Sequence, residues 1–139
     1  TFALTWLAVI PGLTAKTVGR VREAWQQDQK LYERIFDQID ALTLRGIQAI
    51  QDNDLPTLGE LMNICQGMLN ALQVSTPELE KLCDIARENG ALGAKLTGGG
   101  GGGSIVAICG GDTEPVVSAI RAAGFQAMPV RIGAPLNGA

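Results

Sequence analysis

Histidine is missing altogether from the 139 residues. Its absence excludes Cys/His nucleophilic pairs within this chain. The three cysteines, Cys65, Cys83 and Cys109, are odd in number and show no CxxC spacing. That pattern excludes a zinc site, so no metal ligands are expected. Cys65 and Cys83 fall on apolar stripes and read as small buried hydrophobes, which suits a reducing cytoplasm. Basic clusters are also lacking: the net charge is −3 and the pI about 4.8. A nucleic-acid surface needs grouped Lys and Arg, so no nucleic-acid partner is expected. No apolar run approaches the roughly 18 residues of a membrane span. Phe2–Ile10 is short, has no basic flank and ends at Pro11-Gly12, so it reads as a strand and not a signal peptide. The chain opens on Thr1 without an initiator methionine, as processing or a longer parent protein would produce.

What remains is an ordinary globular composition, 46% apolar and 18% charged, of one-domain length. Uncharged Phe2–Ile10 suits a strand buried on both faces. Thr14 can cap a helix with Val18, Val21 and Trp25 on its apolar side. A long helix is expected over residues 28–52, with Leu31, Ile35, Ile39, Leu42, Ile47 and Ile50 inward. Asp54 can cap a third helix, with Pro56 in its first turn and a stripe of Leu58, Leu61, Met62, Cys65, Leu69 and Leu72. Ser75 with Glu78 spells a capping box for a fourth, which buries Leu79, Leu82, Cys83 and Ala86 and stops at Asn89-Gly90. The period then changes. Ala94–Thr97 is extended, Ser104–Cys109 is a strand, Asp112 or Thr113 opens a helix through Ala123, and Gln126–Ile132 is an edge strand because Pro129 cannot donate to a ladder. Trp6 and Trp25 are most simply core aromatics, and the tail Gly133–Ala139 is expected to fray. This order predicts an α+β fold, a small and mostly antiparallel sheet with helices on one face, its last part ferredoxin-like.

Gly98–Gly103 is a run of six glycines. Each costs about 0.5–1 kcal/mol of backbone entropy relative to alanine. A linker separates domains, whereas this run is bounded directly by strand-like residues. The remaining reasons for such a run are positive φ angles and backbone amides unobstructed by Cβ atoms. Successive free N–H groups form a concave nest for phosphate oxygens. It is not a Walker A loop, because Lys95 precedes the glycines and Ser104 opens a strand. Nor is it a dinucleotide fingerprint, which needs a following helix. Spacing alone therefore indicates only a phosphate neighbour.

Leu92–Ser104 (LGAKLTGGGGGGS) resembles the third signature of the GHMP kinases, Gly-Ala-Lys-x-Thr/Ser-Gly-Ala/Ser-Gly-Gly-Gly-Gly-Cys/Ser. Gly93, Ala94, Lys95, Thr97, Gly98 and Gly100 to Gly103 match, and Gly99 stands where alanine or serine is common. Leu58–Leu69 and Val74–Leu79 are similar to the helix pair before that signature in the mevalonate kinase branch. Ile10-Pro-Gly-Leu-Thr14 is a fainter match to the turn that opens the domain. In departure from the pattern, Leu7-Ala8-Val9 replaces an Asp-Thr-Gly-like element, Ala15 follows the matched Thr, and Gln73 replaces a common glycine.

The resemblance implies that residues 1–139 are a GHMP kinase C-terminal domain whose partner is an N-terminal kinase domain of the same protein. That partner would carry the main phosphate loop (P-x-x-x-G-L-G-S-S-A), the catalytic Asp and Lys, and the binding of ATP and Mg²⁺. No G-L-G-S-S occurs here, so no catalytic residue is expected in this chain, which alone would hold no cofactor and be inactive. Thr97, Gly98, Gly99, Gly100, Gly101, Gly102, Gly103 and Ser104 are the expected phosphate or nucleotide loop. Thr14, Asn63, Gln66 and Lys95 are candidates for the substrate cleft. Asn63 and Gln66 read equally as exposed polar positions, Thr97 and Ser104 as caps of the loop, and Lys95 as pointing to solvent or a carboxylate. The small-molecule substrate would be mevalonate. Phosphomevalonate, diphosphomevalonate or a sugar remains open, as do a homodimer and a stand-alone ACT-like ligand-binding module.

Overall fold

The computed structural model describes residues 2–9, as backbone, and 14–132. The Ile10–Leu13 turn, the Trp6 side chain and the Gly133–Ala139 tail lie outside the described residues. The elements run β1 (Phe2–Val9), α1 (Thr14–Gln27), α2 (Gln29–Gln51), α3 (Leu55–Ala71) and α4 (Pro77–Glu88). There follow β2 (Gly93–Thr97), β3 (Gly103–Cys109), α5 (Glu114–Ala122) and β4 (Met128–Ile132). The sheet has order β2-β3-β1-β4, and every neighbouring pair is antiparallel. β1 and β2 thus run parallel with β3 between them, and β3 and β4 run parallel with β1 between. This is the split β-α-β pair of a ferredoxin-like fold, its first crossover enlarged from one helix to four. Pro129 lies on edge strand β4 opposite Thr5, as its missing donor requires.

Alternation along the strands decides which helices cover what. Ala94 and Leu96 of β2 and Ile105, Ala107 and Cys109 of β3 are buried against α4 and α5. Leu79, Leu82, Cys83, Ala86, Val116, Val117 and Ile120 meet them there. Burial pushes the Cys83 thiol up to about 12, which leaves it a protonated, inert part of the core. Ile108, at the alternate position of β3, is buried instead with Ala49, Leu58 and Leu61. α3, with α2 outside it, therefore wraps the β2 edge.

That approach is close. A Cβ on Gly59 of α3 would lie 2.6 Å from the Leu92 carbonyl, and one on Gly93 would strike the Gly59 backbone. Only paired glycines let the helix sit this near a strand.

The helix starts follow local capping. Asp28 accepts from the Leu31 N–H at 3.1 Å, and Asp54 accepts from Thr57 at 3.1 Å. The hydrogen bonds from Thr57 hold the Asp54 carboxyl below its usual range. The fourth helix departs from expectation. Thr76, not Ser75, is its cap, accepting from the Leu79 N–H at 3.3 Å. The chain is already extended at Thr76, so the helix begins one residue later, at Pro77. In α2 the inward stripe differs as well. Leu31, Ile47 and Ile50 are exposed, while Gly46 and Ala49 are buried, because the half-buried stripe of Ile35, Ile39 and Leu42 continues at helical spacing onto Gly46 and Ala49.

Candidate functional site

The glycine loop joins β2 to β3 as a hairpin whose last facing residues are Thr97 and Ser104. Gly98, Gly100, Gly101, Gly102 and Gly103 all have positive φ, between +72° and +129°. Residues with a Cβ rarely adopt this region, which accounts for the run without any linker role. Two neighbours hold the loop. Gly99 lies against the Thr14 side chain at the start of α1, and Gly100 is pressed against the Val74 carbonyl in the α3–α4 connection. The Gly101 N–H donates to that same carbonyl at 2.8 Å. The loop is therefore a fixed turn between two walls.

The structure brings Thr14, Thr97, the six glycines and Ser104 together, and it places the other candidates elsewhere. The Lys95 Nζ donates to the Leu96 carbonyl at 2.8 Å, and the side chain lines a cleft of about 290 Å³ between α2 and α3. Asn63 and Gln66 bond to the outer edge of β2. Asn63 Nδ2 donates to the Leu92 carbonyl at 3.2 Å, and its Oδ1 accepts from the Ala94 N–H at 3.0 Å and from Arg87 at 3.3 Å. Gln66 Oε1 accepts from the Leu96 N–H at 2.7 Å. An edge strand leaves alternate backbone groups unpaired, and these two side chains satisfy them in place of another strand. Exposed polar positions they are not.

Sequence reasoning also passed over a groove beside the loop. Val18, Val21, Trp25, Phe36, Leu72 and Val74, with Gly98 and Gly99, line a cavity of about 600 Å³. The helical period of α1 marked Val18, Val21 and Trp25 as an apolar face, and nothing in it showed that this face borders a cavity. Among the described residues no group of three or more His, Cys, Asp or Glu could hold a metal ion. No described helix is long and apolar enough to cross a membrane.

The family model for "GHMP kinases C terminal" matches residues 47–127, more than half of the chain. The chain belongs to the GHMP kinases. The matched span holds α3, α4, the glycine loop and the whole β2–β3 hairpin. A mevalonate kinase of Methanothermobacter thermautotrophicus is 41% identical over 109 residues, which is 78% of this chain and 36% of that protein. One of Pyrococcus abyssi is 40% identical over 126 residues, 87% of this chain and 38% of its own length. Among solved structures, an L. major mevalonate kinase in complex with R-mevalonate superimposes with a TM-score of 0.87 at 30% identity. That superposition covers 96% of this chain and 43% of the other. The chain thus spans 36–38% of the length of these two curated relatives.

Proposed function

We propose that this chain is the C-terminal domain of a mevalonate kinase, transferring phosphate from ATP to the primary hydroxyl of mevalonate in isoprenoid synthesis. The observation that carries the reading is the geometry of Gly98–Gly103. Here a loop with positive φ at five glycines is backed by Val74 and Thr14. It sits in a chain 40% identical to a mevalonate kinase. A Cβ at Gly100 would fill space that the Val74 carbonyl already occupies, so the loop backbone packs directly on the α3–α4 connection. Backbone N–H groups of such a loop, with the Thr97 and Ser104 hydroxyls at its ends, suit the oxygens of an ATP phosphate. Phosphoryl transfer relies on positioning and charge stabilisation more than on covalent chemistry by the protein, and a loop held in place by Val74 and Thr14 can contribute the first.

Among the described residues no group of three or more His, Cys, Asp or Glu encloses a cation, and Mg²⁺ bound with a nucleotide is held by one or two carboxylates and the phosphates. The cation, the main nucleotide loop and the groups that activate the hydroxyl belong in this reading to the N-terminal kinase domain. The polypeptide by itself is expected to be inactive, and the complete enzyme to work in the cytoplasm.

Replacing the corresponding segment of the Pyrococcus abyssi relative with this chain is expected to preserve ATP-dependent phosphorylation of mevalonate. A folded chimera without turnover would sink the reading. Formation of 5-phosphomevalonate by the 139-residue polypeptide alone would show that the catalytic groups lie inside it.

A further inference from the structure

Gln66, where α3 meets the sheet, is one of two buried polar side chains among the described residues, 2% exposed and hydrogen-bonded through both ends of its amide. Its Oε1 accepts from the Leu96 N–H at 2.7 Å. Its Nε2 donates to Ser75 Oγ at 3.0 Å and to Glu80 Oε1 at 2.7 Å. Chemistry fixes the orientation of the amide. A backbone N–H can only donate, so the oxygen must face Leu96, and a carboxylate can only accept, so the nitrogen must face Glu80.

The three partners are not scattered. Leu96 lies two residues before Gly98, on the strand that enters the loop. Ser75 directly follows Val74, whose carbonyl receives the Gly101 N–H at 2.8 Å and abuts Gly100. Glu80 is in the first turn of α4 and fixes the far side of that connection. A single amide thus ties β2, the strand that enters the glycine loop, to the α3–α4 connection, one of the two walls that hold it. The bond to Glu80 is charge-assisted, the stronger kind; the bond from Leu96 is buried, and those to Ser75 and Glu80 are part-buried.

We propose that Gln66 is a positioning residue for the glycine loop, setting the separation between β2 and the Val74–Ser75 wall into which Gly100 and Gly101 fit. Its consequence for ATP rests on the reading of that loop as a phosphate holder, whereas the positioning itself does not.

Exchanging donor and acceptor tests this. Gln66→Glu keeps an acceptor for Leu96 but sets two carboxylates against each other. Adding Glu80→Gln restores a donor–acceptor pair with the roles reversed. Amide hydrogen exchange is followed by NMR in the polypeptide of this sequence. Gly101 is expected to exchange about tenfold faster in Gln66→Glu, the effect of one opened hydrogen bond. It should return close to the wild-type rate in the double variant, with Ile120 of α5 unchanged throughout. Wild-type exchange of Gly101 in a folded Gln66→Glu protein would overturn the proposal. So would equal acceleration at Ile120, which would mean a general loss of stability. Should Gln66→Glu not fold, the double variant decides: wild-type Gly101 exchange supports the clamp, and its loss or failure to fold refutes it. Adding ATP to the wild-type protein tests the phosphate reading separately. Unmoved loop amides would count against that reading while leaving the clamp result intact.

Discussion

Gln73 has φ +58°, one of two residues with a side chain held in the left-handed region among the described residues. That conformation costs roughly 1–2 kcal/mol for a residue with a Cβ. It ends α3 just before Val74, at a position where the family pattern commonly has glycine. Its exposed hydrogen bond from Arg20, at 2.8 Å, offsets little of that cost. Gln73→Gly is therefore expected to stabilise the protein by up to about 1 kcal/mol after the added chain entropy of glycine. A urea midpoint that falls would show that the Arg20 contact outweighs the strain. The departure was legible in the sequence as an unmatched residue, but its sign was not, because φ is not written in a residue name. Asn63 and Gln66 teach the same lesson. Two polar residues on an apolar helix read as surface, and only the unpaired edge of β2 gave them a buried task.

At the scale of elements, the loop makes different demands on glycines that look identical in sequence. Gly99 does not have a positive φ, and its obstacle is the exposed side chain of Thr14, whose Cγ2 and Oγ1 can rotate away although its Cβ stays close. Gly100 has φ +75°, and its obstacle is the backbone carbonyl of Val74, which cannot. Gly99→Ala is expected to cost less than about 1 kcal/mol. Gly100→Ala should cost about 2–4 kcal/mol from left-handed strain and overpacking together. Thermal unfolding of the two variants compares them directly, and equal losses would mean the loop is not gripped as described. The helix pair before the loop was readable from its stripes and caps, with β2 and β3 readable from their change of period. Less readable was α2, where the large residues Leu31, Ile47 and Ile50 were selected although the face toward α3 runs through Ile39, Leu42, Gly46 and Ala49.

Across the whole molecule, β1 holds the sheet together: it pairs with β3 on one side and β4 on the other. Deleting residues 2–9 strips β4 of its only strand neighbour and opens a new edge on β3. Deleting residues 128–132 removes just an edge strand. The first truncation is expected to abolish a cooperative thermal transition by circular dichroism, and the second to lower its midpoint while keeping it cooperative. If the β1 deletion unfolds as sharply as the intact chain, the central pairing is wrong.

The sequence by itself determined the α+β class, the order of the nine described elements and the presence of a six-glycine loop between two strands. Those features arise from local preferences: hydrophobic period, capping residues, prolines and the left-handed backbone. Tertiary structure decided what the loop touches, since Thr14 and Val74 reach it only when α1 and the α3–α4 connection fold back onto the hairpin. It also decided that Gln66 bonds both β2 and the α3–α4 connection, that Lys95 lies in a cleft apart from the loop, and that the face of α1 borders a groove. Each of these is a contact between residues far apart in the chain, where no local period records the partner.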